Sequence, residues 1–238
     1  MMKESVKKEI KSWIVTILIV FALKATFVEA YVIPTPSMEQ TLLVGDAVLT
    51  NRFVYGVKIP VPLLGKQIPV IPGAQPQHGD IVAFLSPFEN MNVVKRCIAQ
   101  AGDTVEIVDK AVYVNGREMH EPYVISTDEQ TYPAYPCDPT MYQDRWEKAE
   151  LVELFGIHVR DNFGPVVVPQ DHIFVMGDNR DVSYDSRYWG PLHVKYLKGK
   201  PLLIFFSLDP GDEASGVGDL LKFWRWKGIR LMRIGNVV

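Results

Sequence analysis

The chain has 238 residues, of which 47% are hydrophobic and 22% charged, with a formal net charge of -3. That is enough apolar material for one substantial core, with or without a small lobe, and it excludes a disordered chain. Lys and Arg are spread along the sequence, so no basic stripe tracks a phosphate backbone and nucleic acid is set aside as a partner. The histidines (His78, His120, His158, His172, His193) show no His-Glu-x-x-His pattern and no i, i+4 pair, and Cys97 and Cys137 stand far apart. No metal and no cofactor is expected.

In chain order, Lys3, Lys7, Lys8 and Lys11 precede the apolar run from Trp13 to Leu23, and after Lys24 the apolar character resumes as far as Ile33. Positive charge ahead of an apolar run puts the N-terminus in the cytoplasm. The uninterrupted run is short for a membrane span and also suits the h-region of a cleavable signal, with Val28-Glu29-Ala30 at a cleavage-like spacing. The resumed stretch brings the length to about the twenty residues a bilayer needs. The expectation is an uncleaved transmembrane helix: a single-pass anchor over residues 1–33 in the cytoplasmic membrane, with the lipid bilayer as partner and the rest of the chain in the periplasm or outside the cell. Lys24 inside it costs about 2.5 to 3.5 kcal/mol if central, and less if its stem snorkels.

Next comes Ile33-Pro34-Thr35-Pro36-Ser37-Met38. The prolines fix φ and stiffen the approach to Ser37, which offers its hydroxyl from a rigid extended strand; seen alone, the same residues are a linker leaving a membrane helix. After Leu42 the chain reads as strands separated by turns. Gly45-Asp46, Gly79-Asp80 and Gly102-Asp103 each lead into a β-branched or aromatic stretch, and Asn115-Gly116 after Ala111–Val114 signals a hairpin.

The Pro/Gly-rich stretch 56–79 is an extended loop or hairpin whose apolar side chains touch lipid or pack on the β core. Residues 118–164 are richer in Glu, Asp, Tyr and Pro and read as an inserted smaller lobe. No long helical period follows the anchor until residues 219–226, a short amphipathic helix. The basic aromatic tail beyond Phe223 is a membrane patch or closes a sheet. The fold class is therefore mainly β: the anchor, then an antiparallel β-sheet domain in two parts, 34–117 and 165–238, around the lobe at 118–164. The sequence leaves a Cys97–Cys137 disulfide open, and Cys97 suits a small buried hydrophobe.

A serine is a poor nucleophile without a base. No Gly-x-Ser-x-Gly elbow is present and no histidine stands in a recognisable block. Lysine serves if it is neutral at working pH, which requires burial among apolar groups. Lys95 has Val93 and Val94 before it and Cys97 and Ile98 just beyond, and strand alternation sends Lys95 and Arg96 to opposite faces. Taken alone, the pair would be a surface Lys-Arg on an edge strand.

The blocks are stronger together. Pro36-Ser37-Met38 with Thr41-Leu42, Gly45-Asp46 with Asn51–Gly56, His78–Phe84 with Lys95-Arg96 and Gly102-Asp103, and Gly177–Asp181 through Ser183 and Asp185 to Ser186–Gly190 follow one another over nearly the whole chain. In that combination the sequence resembles the bacterial type I signal peptidases, S26-type membrane-bound serine proteases with a serine-lysine dyad. The resemblance implies Ser37 as nucleophile, Lys95 as general base, Ser183 orienting the lysine, and Thr35 adding a hydroxyl to the oxyanion hole. It implies structural ion pairs of Arg96 with Asp178 and of Asp185 with Arg187. It also implies shallow apolar substrate pockets lined by Ile33, Pro34, Met38, Leu42, Val93 and Val94, which admit small side chains one and three residues before the cut. The substrates so implied are signal peptides of exported preproteins.

This chain departs from the family pattern with His78 where arginine is common and Ala101 where proline is common, neither at a chemical position. Two rivals stay open: a specialised serine-lysine peptidase with a single secretion or conjugation partner, and a non-catalytic anchored β protein that binds peptides or envelope partners.

Overall fold

The computed structural model describes residues 6, 8–16, 28–61, 66–88, 91–211 and 227–238. Residues 8–16 are helical and exposed. Among the described residues no helix is long and apolar enough to cross a membrane, and residues 17–27 of the expected anchor lie outside them. The end of the expected anchor is a strand instead. Val28–Val32 forms β1, antiparallel to β2 (Asp46–Asn51), with Val28 opposite Asn51 and Val32 opposite Ala47. Tyr31 and Ile33 point inward while Val32 is 53% exposed, the period-two signature of a half-buried strand and not of a lipid-facing helix.

The chain continues through β3 (Val57–Val61), β4 (Lys66–Ile71), β5 (Ile81–Leu85), β6 (Asn92–Ala99), β7 (Thr104–Val108), β8 (Ala111–Val114) and β9 (Arg117–Glu118). Helices α1 (Pro139–Glu147) and α2 (Leu151–Phe155) precede β10 (Phe163–Val167) and β11 (His172–Met176). Then come α3 (Ser186–Trp189), β12 (Leu192–His193), β13 (Leu197–Asp209) and β14 (Gly228–Ile229). The main sheet runs β1-β2-β13-β5-β6-β11-β12, with β14 on β13; β10-β7-β8-β9 form a second sheet and β3-β4 a hairpin in the Pro/Gly-rich stretch. All these pairings are antiparallel.

The Gly-Asp pairs owe their effect to one repeated turn. In Leu43–Asp46, Gln77–Asp80 and Gln100–Asp103, the aspartate N–H donates to the first residue's carbonyl at 3.0 Å, and its carboxylate accepts that residue's N–H at 2.8 to 2.9 Å. The glycine at the third position has φ between +86° and +90°, a type II geometry that suits glycine. Each turn delivers the chain directly into β2, β5 or β7. Asn115 and Gly116, both at positive φ, close the β8–β9 hairpin as expected.

β13 joins the two halves of the main sheet, pairing with β5 at Leu197 and Gly199 and with β2 from Lys200 to Ser207. The tail continues it: β14 pairs with its end and Val237 bridges to Leu203, so this part of the tail extends the sheet, while residues 219–226 lie outside the described residues.

The lobe contains two short helices, where the sequence showed no long helical period. Asp138 caps α1 by accepting the Met141 N–H at 3.0 Å, with Pro139 in the first turn. Only Tyr142 and Trp146 of α1 are buried, and one i, i+4 pair is too little to register as a helical period. Trp146, Leu151 and Phe163 share one apolar cluster with Ile98 of β6 and Phe174 and Met176 of β11. The lobe therefore shares its core with the main sheet, and β9 and β10 run across the expected boundaries at 117–118 and 164–165.

A second cluster, under β1, β2 and β5, contains Tyr31, Ile33, Met38, Leu42 and Val94. Full burial of such side chains contributes about 1.5 to 3 kcal/mol each. Cys97 is buried in a third cluster and Cys137 packs against the lobe's; both are free thiols. Burial, with Asp80 nearby, pushes the Cys97 thiol up to about 12.

Candidate active site

Thr35 is extended, with φ -129° and ψ 152°, and Pro36–Met38 form one turn of 3-10 helix with the proline in its first position. Ser37 therefore sits on a short helical turn, not on the extended strand expected from its prolines. Two neighbours hold the turn down: Met38 is 1% exposed and Leu42 not at all, and the Leu42 N–H donates to the Met38 carbonyl at 2.7 Å. The Ser37 hydroxyl lies 3.3 Å from that of Thr35.

Lys95 sits in β6 opposite Val82 of β5 and is 3% exposed. Its Nζ donates to Ser183 Oγ at 3.0 Å. Arg96, next along the strand, goes to different partners, as alternation requires. Its Nε donates to Asp178 Oδ1 at 2.8 Å, its Nη2 to Oδ2 at 2.6 Å and its Nη1 to the Gly79 carbonyl at 2.8 Å, and Tyr123 lies under the guanidinium. Thr41 donates to the same carboxylate at 2.6 Å. These bonds join four separate segments of chain, and removing one member of such a buried pair costs about 3 to 5 kcal/mol.

The loop from Gly177 to Asp185 carries the remaining parts. The Gly177 N–H is shared between Ser183 Oγ and Asp185 Oδ2, both at 3.1 Å, and the Asn179 N–H donates to the Ser37 carbonyl at 3.1 Å. Asp185 and Arg187 form a two-point pair, with both bonds at 2.9 Å, and are almost wholly buried. Burial alone pushes the Asp185 carboxyl up. The Arg187 guanidinium, with a smaller pull from Lys95, overrides it, and the carboxyl stays below the usual carboxylate range.

Ser37, Thr35 and Lys95 open on one groove of about 180 Å³, walled by Ile33, Pro34, Met38, Val93 and Val94. Leu42, expected in that wall, is not part of it; it lies fully buried in the cluster with Met38. The groove also has Tyr31, Val32, Ala83, Met91, Asn92, Val182 and Tyr184, which the sequence reading did not assign to it. Tyr31 and Val32 lie in the stretch counted as anchor. Val182 and Tyr184 flank Ser183, and alternation there was the signal available: both are more than half exposed while Ser183 is 3% exposed.

These features define a class: a β-sheet protein with a serine and a lysine in one apolar groove, the lysine tied to a second serine. The chain belongs to the family described as "Signal peptidase, peptidase S26", whose model matches residues 6–206. It is similar to the signal peptidase I of Pseudomonas aeruginosa, 39% identical over 184 residues, which are 75% of this chain and 61% of that protein. The signal peptidase I of Pseudomonas fluorescens is 36% identical over the same shares of both chains. That of Aquifex aeolicus is 30% identical over 233 residues, 84% of each chain. The chain thus spans somewhat less than two thirds of the length of the two Pseudomonas proteins.

Proposed function

We propose that this chain is a membrane-bound serine endopeptidase that removes N-terminal signal peptides from exported preproteins, cutting after small residues. The observation that carries the reading is the shared groove of Ser37 and Lys95, with Lys95 Nζ held by Ser183 Oγ at 3.0 Å. In the proposed reaction Ser37 Oγ attacks the scissile carbonyl and a neutral Lys95 takes its proton. The oxyanion is met by the Ser37 N–H and the Thr35 hydroxyl. The lysine then gives its proton to the leaving amine, which departs as the new N-terminus of the mature protein. Water, deprotonated by the same lysine, cleaves the acyl-serine and releases the signal peptide. As the acyl C–O bond breaks, the lysine passes the water's proton to Ser37 Oγ, and both groups return to their starting state.

The substrate lies extended along the groove, adding main-chain hydrogen bonds to the segments that bear Thr35 and Lys95. Met38, Ala83 and Val94 line the groove, and in this reading they form the wall that selects a small side chain before the cut. The N-terminal lysines and the apolar run that begins at Trp13 support an anchor in the cytoplasmic membrane, with the N-terminus inside and the sheet domain outside. In this organisation β1 is the first element of the catalytic unit, and the lobe at 118–164 is an insertion within it. The test is cleavage of a preprotein in detergent by wild type and Ser37→Ala, with the product N-terminus sequenced. Equal cleavage by the variant would overturn the reading.

A further inference from the structure

The loop Gly177–Asp185 meets the Ser37 segment on one side; residues 121–132 of the lobe cover another side, and nothing in the proposed chemistry uses them. Main chain meets main chain there. The Ile125 N–H donates to the Asp178 carbonyl at 2.9 Å and the Arg180 N–H to the Ile125 carbonyl at 3.0 Å, with Ile125 and Asn179 in a parallel bridge.

Side chains lock the pairing at both ends. The Arg180 guanidinium donates to Glu121 at 2.6 Å. The Asp181 carboxylate, 5% exposed, accepts the Ser126 hydroxyl at 2.9 Å and the N–H groups of Thr127 and Asp128 at 2.7 and 2.8 Å. Lys110 at 3.6 Å and Arg160 at 3.7 Å supply the opposite charge. Three donors converging on one buried carboxylate make a socket with a defined geometry.

We propose that residues 121–128 act as a brace and that Asp181 is a positioning residue: its socket in the lobe holds the 177–185 loop so that the Ser183 hydroxyl stays where Lys95 donates to it. Asp181 lies two residues from Ser183, and Arg160, beside the socket, accepts at its carbonyl a 2.9 Å bond from Arg187, the partner of Asp185. The loop is therefore tied to the lobe from both of its ends. Without the socket the loop keeps its ties at Gly177, Asp178, Asn179 and Arg180, which preserve the fold, but Asp181 and Val182, the two residues that lead into Ser183, lose the anchor that fixes them to the lobe. A displacement on the order of 1 Å is enough to cost a large factor in rate where reacting groups must align. On this account the inserted lobe takes part in catalysis without touching substrate.

The inference rests on the proposed peptidase reading, and its test separates the two. Single-turnover acylation by a preprotein, which stays measurable for slow variants, is compared for wild type, Asp181→Asn, Ser183→Ala and the double variant. Asp181→Asn is expected to slow acylation about tenfold, within the couplings seen inside one hydrogen-bond network. Added to Ser183→Ala, it is expected to cost less than about twofold more, because its effect runs through that hydroxyl. Ser126→Ala, which removes one donor from the exposed rim, repeats the pattern at about threefold and replaces Asp181→Asn if that variant does not fold. Losses that multiply in the double variant, or normal acylation by the single variants, overturn the brace. Cleavage by Ser37→Ala overturns the peptidase reading; an inert Ser37→Ala beside an unimpaired Asp181→Asn overturns the brace alone.

Discussion

The main-chain N–H of Asn179 donates to the carbonyl oxygen of Ser37 at 3.1 Å. This bond ties the loop that supplies Ser183 to the turn that supplies Ser37, across more than half of the sequence. It forms only because the chain at Gly177 comes close to both groups.

A Cβ at position 177 would stand within 3.0 Å of the Ser183 hydroxyl and of the Ser37 carbonyl oxygen, so one of them has to move. One side of that clash carries the proposed nucleophile and the other the hydroxyl to which Lys95 donates. Gly177→Ala is therefore expected to lower kcat at least tenfold while the circular dichroism spectrum stays native, since a displacement of this size acts on alignment more than on the fold. Near-normal turnover by this variant would show that the contact is slack.

Much of this was legible in the sequence, for reasons that can be named. The Gly-Asp pairs at 45–46, 79–80 and 102–103 specify their turns locally, through a glycine at positive φ and an aspartate that reaches back three residues, so no distant contact is needed to see them. Lys95 and Arg96 were separable because a strand alternates. The reading failed where one residue type serves two environments. Val28, Tyr31 and Val32 are as apolar as a membrane span, and only their pairing with β2 makes them a strand. Leu42 was placed in the groove by likeness, yet nothing local says whether an apolar side chain faces a pocket or lies behind its wall. Helix α1 escaped notice because its buried face has only two residues.

Lys95→Arg is expected to be as inactive as Lys95→Ala. A guanidinium stays protonated and cannot accept the serine proton, so conserving charge does not conserve the base. Preprotein cleavage by the arginine variant above about a tenth of the wild-type rate would remove Lys95 from that role.

Asp185 predicts a response to acid. Its carboxyl in the folded protein lies below the usual range, chiefly because Arg187 outweighs the cost of burial, so it binds a proton less readily folded than unfolded. Such a group contributes its full stability above its unfolded value of about 3.9 and loses it as pH falls through the lower folded value. Asp185→Asn is therefore expected to destabilise the protein at pH 7 by about 3 to 5 kcal/mol, the cost of stranding a buried partner. The gap between the two proteins should narrow below about pH 4. Thermal midpoints measured from pH 7 to pH 3 read this directly, and a constant gap would assign the pair's contribution to shape instead of charge.

In the proposed reading Met38, Ala83 and Val94, which line the groove, face the residue before the cut. Ala or Gly there should be processed, and Phe or Leu rejected, because a close-packed wall has no volume to give. A preprotein series varied at that single position measures the ratio of kcat/KM, and efficient cleavage after Phe would mean that the substrate residue lies elsewhere in the groove.

Thr35 tests the oxyanion hole with Ser37 and Lys95 themselves left in place. Its hydroxyl lies 3.3 Å from the Ser37 hydroxyl, close to where the tetrahedral oxygen would develop if Ser37 attacks. Thr35→Val removes the donor while nearly preserving shape, and loss of one such donor typically costs about 2.7 to 4 kcal/mol, roughly a hundredfold to a thousandfold in turnover. Thr35→Ser keeps the donor and should stay near wild type. KM should change less than kcat in the valine variant, because the bond strengthens only as the carbonyl becomes an oxyanion. If Thr35→Val turns over normally, the hydroxyl serves only to order the turn that carries Ser37, and the hole is built from main-chain donors alone.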